Sequence, residues 1–157
     1  MIAIRAATVD EIDRVLSLAA RVPEAPQWDR TAYERFLSPD TNIRSNIRSA
    51  AWLADDGQEI VGFAMVTLVV DVCELESIGV AEDFRKKGIG GALLNTALEW
   101  AAQQGARKIE LEVRASNETA IRFYERAGMM REGVRRGYYR HPDGDALLMG
   151  KGLYSED

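Results

Sequence analysis

Arg85-Lys86-Lys87-Gly88-Ile89-Gly90-Gly91 places three cations beside three glycines just ahead of a helical stretch. Gly88, Gly90 and Gly91 let the backbone approach a ligand without interference from a Cβ. A loop that runs straight into a helix aims unpaired N–H groups and the positive end of the helix dipole at one spot. Such a site suits a pyrophosphate. It is not a Walker loop, because no G-x-x-x-x-G-K-[ST] is present. It is not a dinucleotide fingerprint, because Leu93 stands where G-x-G-x-x-G needs its last glycine. The plainer alternative is a solvated basic turn that caps a helix. Three groups able to move protons flank the loop in sequence: Glu76 before it, Glu112 and Tyr124 after it.

The elements that must position these groups follow from periodicity. Val72 to Val80 reads as a strand, followed by the loop and a helix with Ile89, Leu94, Ala97, Leu98 and Ala101 on one stripe. Gly105 is placed to end that helix. In the next strand, Lys108 to Val113, Ile109, Leu111 and Val113 point one way. Lys108, Glu110, Glu112 and Arg114 point the other way. If helices cover both faces of the sheet, Glu112 is partly buried, which suits a proton acceptor; the alternative is an exposed carboxylate paired with Arg114 or Lys108. Ser116 is expected to cap a last helix with Ala120, Phe123, Tyr124 and Ala127 on its apolar side. Gly79 inside its strand signals a bulge or a close backbone approach.

Before Val72 the pattern is strand (Ile2 to Arg5), then a capping box at Thr8 to Glu11 with a helix that stops before Pro23. A second short helix begins near Asp29 or Thr31, with a further box over Thr31 to Glu34, and ends at Pro39. Asn42-Ile43-Arg44-Ser45 is repeated at once as Asn46-Ile47-Arg48-Ser49 and reads as a loop. Ala50 to Ala54 and Ile60 to Val70 are strands joined by a turn at Asp55-Asp56-Gly57. Met129 to Tyr139 and Asp145 to Leu153 form a final antiparallel pair.

The 157 residues fit one domain, with 46% hydrophobic and 29% charged residues. A net charge of −5 disfavours nucleic acid as a partner. Cys73 is the only cysteine, so no intrachain disulfide forms, which fits a reducing, cytoplasmic setting. It reads as a small core hydrophobe rather than a nucleophile. No apolar run is long enough to span a membrane, and the N-terminus lacks a signal peptide's apolar core. His141, the only histidine, lacks cysteine companions, and no metal site is expected.

Arg85-Lys86-Lys87-Gly88-Ile89-Gly90 fits the R/Q-x-x-G-x-G/A signature of the GNAT family of N-acetyltransferases. The chain also resembles that family over Leu111-Glu112-Val113-Arg114-Ala115-Ser116-Asn117, Ala120-Ile121, and Phe123 to Met129. The likeness continues through Tyr138-Tyr139, Asp143-Gly144 and Ala146 to Met149. The match is dense from about Leu68 to Leu153, and closest to the bacterial ribosomal-protein-alanine N-acetyltransferases. The resemblance implies an α/β fold: a single domain, 1–157, with a mostly antiparallel mixed sheet of about seven strands and about four flanking helices. That sheet is splayed between its two central strands, and acetyl-CoA is bound by the half from about 72 to 128. It implies that Ile78, Gly79 and Val80 present backbone to the pantetheine arm, with an oxyanion donor near Val80, and that Arg85 to Gly91 hold the pyrophosphate. Asn117 bonds the arm, Glu112 is the base, and Tyr124 touches the cofactor and is the acid.

Direct attack by a primary amine, with no acyl-enzyme, follows. Glu76, Tyr138 and Tyr139 are expected at the acceptor, and Glu76 could assist or replace Glu112 through water. An α-amine with a pKa of about 8 needs only a modest base, unlike a lysine near 10.4. Arg135-Arg136-Gly137-Tyr138-Tyr139 resembles the R-R-x-Y-Y near the peptide entrance of the ribosomal-protein enzymes. That favours a protein N-terminus, Ala-initiated, as acceptor; a small amine and a non-catalytic acyl-CoA-binding module are the alternatives. Pro26-Gln27-Trp28 departs from that group's P-W by an inserted Gln. For these residues the plainer readings are a helix-capping Asn117, a core-packing Tyr124, and exposed hairpin tyrosines. A monomer or a homodimer fits equally.

Overall fold

Buried alternation on β-strands and one apolar stripe per helix force a sheet covered on both faces. The computed structural model describes residues 1–38 and 46–153. β1 (Ala3–Ala6) leads through a 3-10 turn (Val9–Glu11) into α1 (Ile12–Ala20) and α2 (Arg30–Leu37). A meander follows: β2 (Ile47–Asp55), β3 (Ile60–Val69) and β4 (Val72–Val80). A second 3-10 turn (Glu82–Phe84) leads to α3 (Ile89–Gln103), then β5 (Lys108–Arg114) and α4 (Glu118–Arg126). The hairpin of β6 (Met130–Tyr139) and β7 (Gly144–Gly152) completes the described chain. The strands form one sheet in the order β1-β2-β3-β4-β5-β7-β6. Every neighbouring pair is antiparallel except β4 and β5. The expected mixed sheet of seven strands with four helices is therefore observed.

The core has two parts, one on each face. α3 and α4 pack on the face that carries Val66, Cys73, Leu75, Ile109, Leu111 and Val113. α1 and α2 pack on the other, against Leu53, Phe63 and Met65. β5 alternates as expected, with Ile109, Leu111 and Val113 buried and Glu110 and Glu112 half-buried. Leu93 is also fully buried on α3. On α4 the expected stripe of Ala120, Phe123, Tyr124 and Ala127 packs on the core, and Ile121 is buried beside it.

Of the two starts expected for α2, Asp29 is the cap: its Oδ1 accepts from Ala32 N–H at 2.9 Å. Other local expectations shift. Asn117, not Ser116, caps α4, its Oδ1 accepting from Ala120 N–H at 3.2 Å. Ile47, Arg48 and Ser49 are strand rather than loop, because they pair with Val69, Leu68 and Thr67 and complete the long hairpin. Asn42 to Ser45 and Pro39 lie outside the described residues. Gly79 is not a bulge. Its pairing with Phe63 is regular, and the bulge lies at Glu76, where Ser77 pairs with Met65 and Leu75 with Val66. Gly79 is instead a close approach: a Cβ there would meet Val22 Cγ1 at 2.9 Å and Phe63 at 3.1 Å.

β1 is joined to the start of the α1 segment and to β2 through Arg5. Its guanidinium donates to Glu11 Oε1 and Oε2 at 2.8 and 2.7 Å, and to Asp55 Oδ2 at 2.9 Å. Thr8 N–H also donates to Glu11 Oε1 at 3.0 Å, the backward arm of the capping box. Arg5 holds the buried Glu11 carboxyl down at about 2. Because this pKa is depressed on folding, the stabilisation is present above the ordinary glutamate range and is lost as pH falls toward 2. Glu11→Gln should cost about 1–3 kcal/mol at pH 7, and the cost should shrink between pH 4.5 and 2, as urea titrations at both ends would show. Gly79→Ala, measured the same way at pH 7, should cost about 1–3 kcal/mol from overpacking against Val22 and Phe63.

Candidate active site

β4 and β5 pair only from Val72 to Glu74 and from Lys108 to Glu110. Beyond Glu74 and Glu110 they part, while β4 stays paired to β3 and β5 to β7. Ala81 N–H bonds Val61 O at 2.8 Å. The antiparallel alternation then turns the backbone groups of Val80 and Ile78 away from β3 and toward the gap. Gly79 turns its own toward β3, so of the three residues expected to offer backbone here, two do. The Val80 carbonyl accepts from Arg85 Nε at 3.0 Å. The Val80 N–H stays on the gap side, where an oxyanion donor was expected.

The basic loop lies at the end of β4. Lys86 has φ 62° and Gly88, the N-cap of α3, φ 82°. The first α3 hydrogen bond runs from Ala92 N–H to Gly88 O at 3.1 Å, so the N–H groups of Ile89, Gly90 and Gly91 precede the helical ladder. A Cβ at Gly88 or Gly91 would meet no atom within 4 Å, and one at Gly90 would touch the Phe123 ring at 3.4 Å. The loop is thus an open cradle of backbone donors at the positive end of a 15-residue helix, and it fits a pyrophosphate. Lys87 lies over the Phe84 ring at 5.4 Å. Arg85 is turned back: besides Val80 O, it bonds Glu24 at 3.2 Å.

On the α1–α2 face of the gap is a cleft of about 520 Å³. β4 and β5 contribute Glu74, Glu76, Glu110 and Glu112 to it, β6 contributes Arg135, Tyr138 and Tyr139, and the loop after α1 contributes Pro26 and Trp28. Residues Glu76, Glu112, Tyr138 and Tyr139, singled out from sequence, therefore meet in one cleft. The bulge makes Glu76 an extra residue in β4 and turns it into this acidic pocket. Burial, reinforced by Glu74 and then Glu112, lifts the Glu76 carboxyl to about 7. Glu112 faces Arg135 Nε at 3.4 Å, not Arg114 or Lys108. Its bond with the Tyr138 phenol, more than burial, raises Tyr138. Arg114 instead bonds Pro142 O at 2.8 Å and lies over the Tyr139 ring at 4.3 Å.

Tyr124 is buried on the α4 face and is not among the residues lining the cleft. Burial, with a smaller contribution from Tyr139, pushes its phenol well above the ordinary range, so it carries its proton at neutral pH. Asn117 uses its Oδ1 as the α4 cap. Burial pushes the Cys73 thiol up to about 12, which makes it a poor nucleophile. His141 stands on the β6–β7 turn. Among the described residues no cluster of His, Cys, Asp and Glu could hold a metal, and no helix is long and apolar enough to cross a membrane.

Sequence reasoning missed Glu74 and Glu110 in the cleft. The E-x-E spacing of Glu74 and Glu76, repeated at Glu110 and Glu112, was the available signal, since residues two apart share a strand face. It also missed what the Gln in Pro26-Gln27-Trp28 does. Gln27 Nε2 donates to Ala19 O, Val22 O and Ala25 O at 3.0 to 3.2 Å and folds the loop onto the end of α1. Tyr33 donates to Pro26 O at 2.6 Å, and Trp28 stacks on Phe36. Pro26 and Trp28 are thereby held at the cleft wall.

Comparison with known proteins places this arrangement. A candidate [ribosomal protein bS18]-alanine N-acetyltransferase of Bacillus subtilis (strain 168) is 27% identical over 147 residues, covering 94% of this chain and 93% of that protein. The [ribosomal protein bS18]-alanine N-acetyltransferase of Escherichia coli (strain K12) is 38% identical over 93 residues, 58% of this chain and 63% of that one. The crystal structure of the ribosomal-protein-S18-alanine N-acetyltransferase from Escherichia coli superposes with a TM-score of 0.83 at 24% identity. It covers 100% of this chain and 97% of the other. The model of the acetyltransferase (GNAT) family matches residues 12–129. With the splayed parallel pair, the glycine cradle and most of the chain in agreement, this protein belongs to the GNAT family of acetyltransferases.

Proposed function

We propose that this acetyltransferase moves an acetyl group from acetyl-CoA to the N-terminal α-amine of a protein, with an Ala-initiated ribosomal protein as the model acceptor. The observation that carries the reading is the meeting of Glu76, its carboxyl near 7, with Glu112 and two tyrosines in a cleft beside the gap. The Escherichia coli relative named above is a [ribosomal protein bS18]-alanine N-acetyltransferase, which supports the choice of acceptor. A single base suffices for an α-amine, part of which is already unprotonated at neutral pH.

In this reading the α3 N-terminus and Lys86 and Lys87 hold the pyrophosphate, and Arg85 fixes the end of β4. Ile78 and Val80 offer backbone groups to the amide-bearing arm. Acetyl-CoA supplies the activated acetyl group. Glu76 and Glu112 take the amine's protons, directly or through water, and the Val80 N–H donates to the carbonyl oxygen as charge builds there. Tyr124, kept protonated by burial, gives its proton to the departing sulfur. No acyl-enzyme is needed, in keeping with the inert Cys73.

Carboxylates at Glu74, Glu76, Glu110 and Glu112 also suit a polycation, so a small polyamine is the second reading. Thiol release measured with an Ala-initiated ribosomal peptide, spermidine and free lysine separates the two. Turnover on the peptide alone supports the N-terminal reading, whereas turnover on small amines alone discards it. Glu112→Gln and Tyr124→Phe should each lower kcat by about 10²–10⁴-fold with acetyl-CoA affinity intact, and unchanged turnover in both would falsify these roles. The wild-type kcat/KM should rise with pH through about 7 as Glu76 loses its proton, a limb that Glu76→Gln should remove. Glu76 has a raised pKa in the folded state. It therefore favours folding below the ordinary glutamate range and loses that contribution as pH rises through about 7. The melting temperature of Glu76→Gln should accordingly vary less than wild type between pH 4.5 and 7.

A further inference from the structure

Tyr138 and Tyr139 are consecutive, yet both line the acceptor cleft. A regular strand forbids this, since successive side chains point to opposite faces. Arg135 lines the cleft too, so regular alternation would bring residues 137 and 139 to it and send Tyr138 to the far side. The pairing shows how the rule is broken. Arg135 pairs with Ala146 and Tyr139 with Gly144, so Arg136, Gly137 and Tyr138 stand opposite the single residue Asp145. Gly137 takes φ 64°, a left-handed turn that few other residues accept. Its N–H, drawn out of the ladder, donates to Asp145 Oδ1 at 2.8 Å. The Asp145 carbonyl accepts from Ala115 N–H at 2.9 Å, which fastens the same residue to the end of β5, three residues beyond Glu112. The two rings then meet edge to face at 5.0 Å, and the Tyr138 phenol reaches Glu112.

We infer that Asp145 is a positioning residue for the acceptor wall. Its carboxylate holds the Gly137 bulge open so that both tyrosines face the cleft. Asp145 is not itself among the lining residues. It acts through Tyr138 and Tyr139 on the acceptor side and leaves the cofactor loop untouched. The inference rests on the reading of this cleft as the acceptor site.

The test compares wild type, Asp145→Ala and Asp145→Asn; the Asn side-chain oxygen still accepts from the Gly137 N–H. Loss of one charge-assisted hydrogen bond should raise KM for the peptide about tenfold in Asp145→Ala. KM for acetyl-CoA and the melting temperature should stay near wild type. Asp145→Asn should restore most of the acceptor KM. Equal acceptor KM in all three overturns the inference. So does an Asp145→Ala variant that fails to fold, or one that raises both KM values together without rescue by Asn. A second arm needs no turnover. Tyrosine ring NMR signals, assigned with Tyr138→Phe and Tyr139→Phe, should move in Asp145→Ala and return in Asp145→Asn, and unmoved rings count against the bulge. If wild type acetylates no amine at all, the acceptor reading fails, and the ring signals still judge the geometry.

Discussion

Two parallel strands that pair for only three residues apiece set the terms for the whole molecule. β4 and β5 are adjacent because α3 crosses over between them, yet they separate after Glu74 and Glu110. Neither strand is left loose. β3 pairs along β4, and β7 pairs along the full length of β5. The loss of backbone hydrogen bonding is thus confined to the two edges that face each other. Exposed backbone groups inside a sheet are costly unless something meets them. Arg85 meets one, the Val80 carbonyl. The rest form a ready partner for an extended chain that carries amides, and that is why the opening and the glycine cradle at its end belong to one site.

The same separation sorts the charges. The chain is acidic overall, at −5, and charges of both signs flank the gap. Lys86 and Lys87 lie at the α3 N-terminus, where an anion is wanted. Carboxylates Glu74, Glu76, Glu110 and Glu112 collect in the cleft, where the proposed reaction would bring an amine. Crowding carboxylates with burial is what lifts Glu76 to about 7. Arg135 offsets part of the repulsion by lying against Glu112. An acceptor ammonium entering the cleft would meet the same attraction that holds Arg135 there.

Much of this was legible because it depends on periodicity and on residue type. The alternation of β5 put Glu112 opposite Ile109 and Leu111 before any fold was known, and the glycine spacing after Arg85 marked the cradle. What escaped depends on contacts between distant segments. No residue type announces that Glu76 is the extra residue of a bulge; that follows from how Gly62 to Val69 of β3 register against the one-residue-longer run Val72 to Val80 of β4. Gly79 drew suspicion correctly but for the other of its two causes, the nearness of Val22 and Phe63. The α4 cap moved by one position, from Ser116 to Asn117, and of the two starts offered for α2 it is Asp29 that caps, because neighbouring residues can each cap and tertiary packing chooses among them. Asn117 in its local role shows the plainer reading and the family reading meeting at one residue: the side chain that caps α4 stands where the resemblance puts a contact to the pantetheine arm.

The walls of the acceptor cleft are fixed from outside it. Gln27 ties Pro26 and Trp28 to carbonyls at the end of α1 and just beyond it. Asp145 spreads the strand that delivers Tyr138 and Tyr139. Neither bond involves the glycine cradle or the gap-facing edge of β4, so under the proposed function the cofactor side and the acceptor side can change separately. The bonds that hold these two walls, from Gln27 and from Asp145, both lie away from the short β4–β5 pairing. Gln27, between Pro26 and Trp28, is a case in point, because its side-chain amide supplies hydrogen bonds that fasten the loop down.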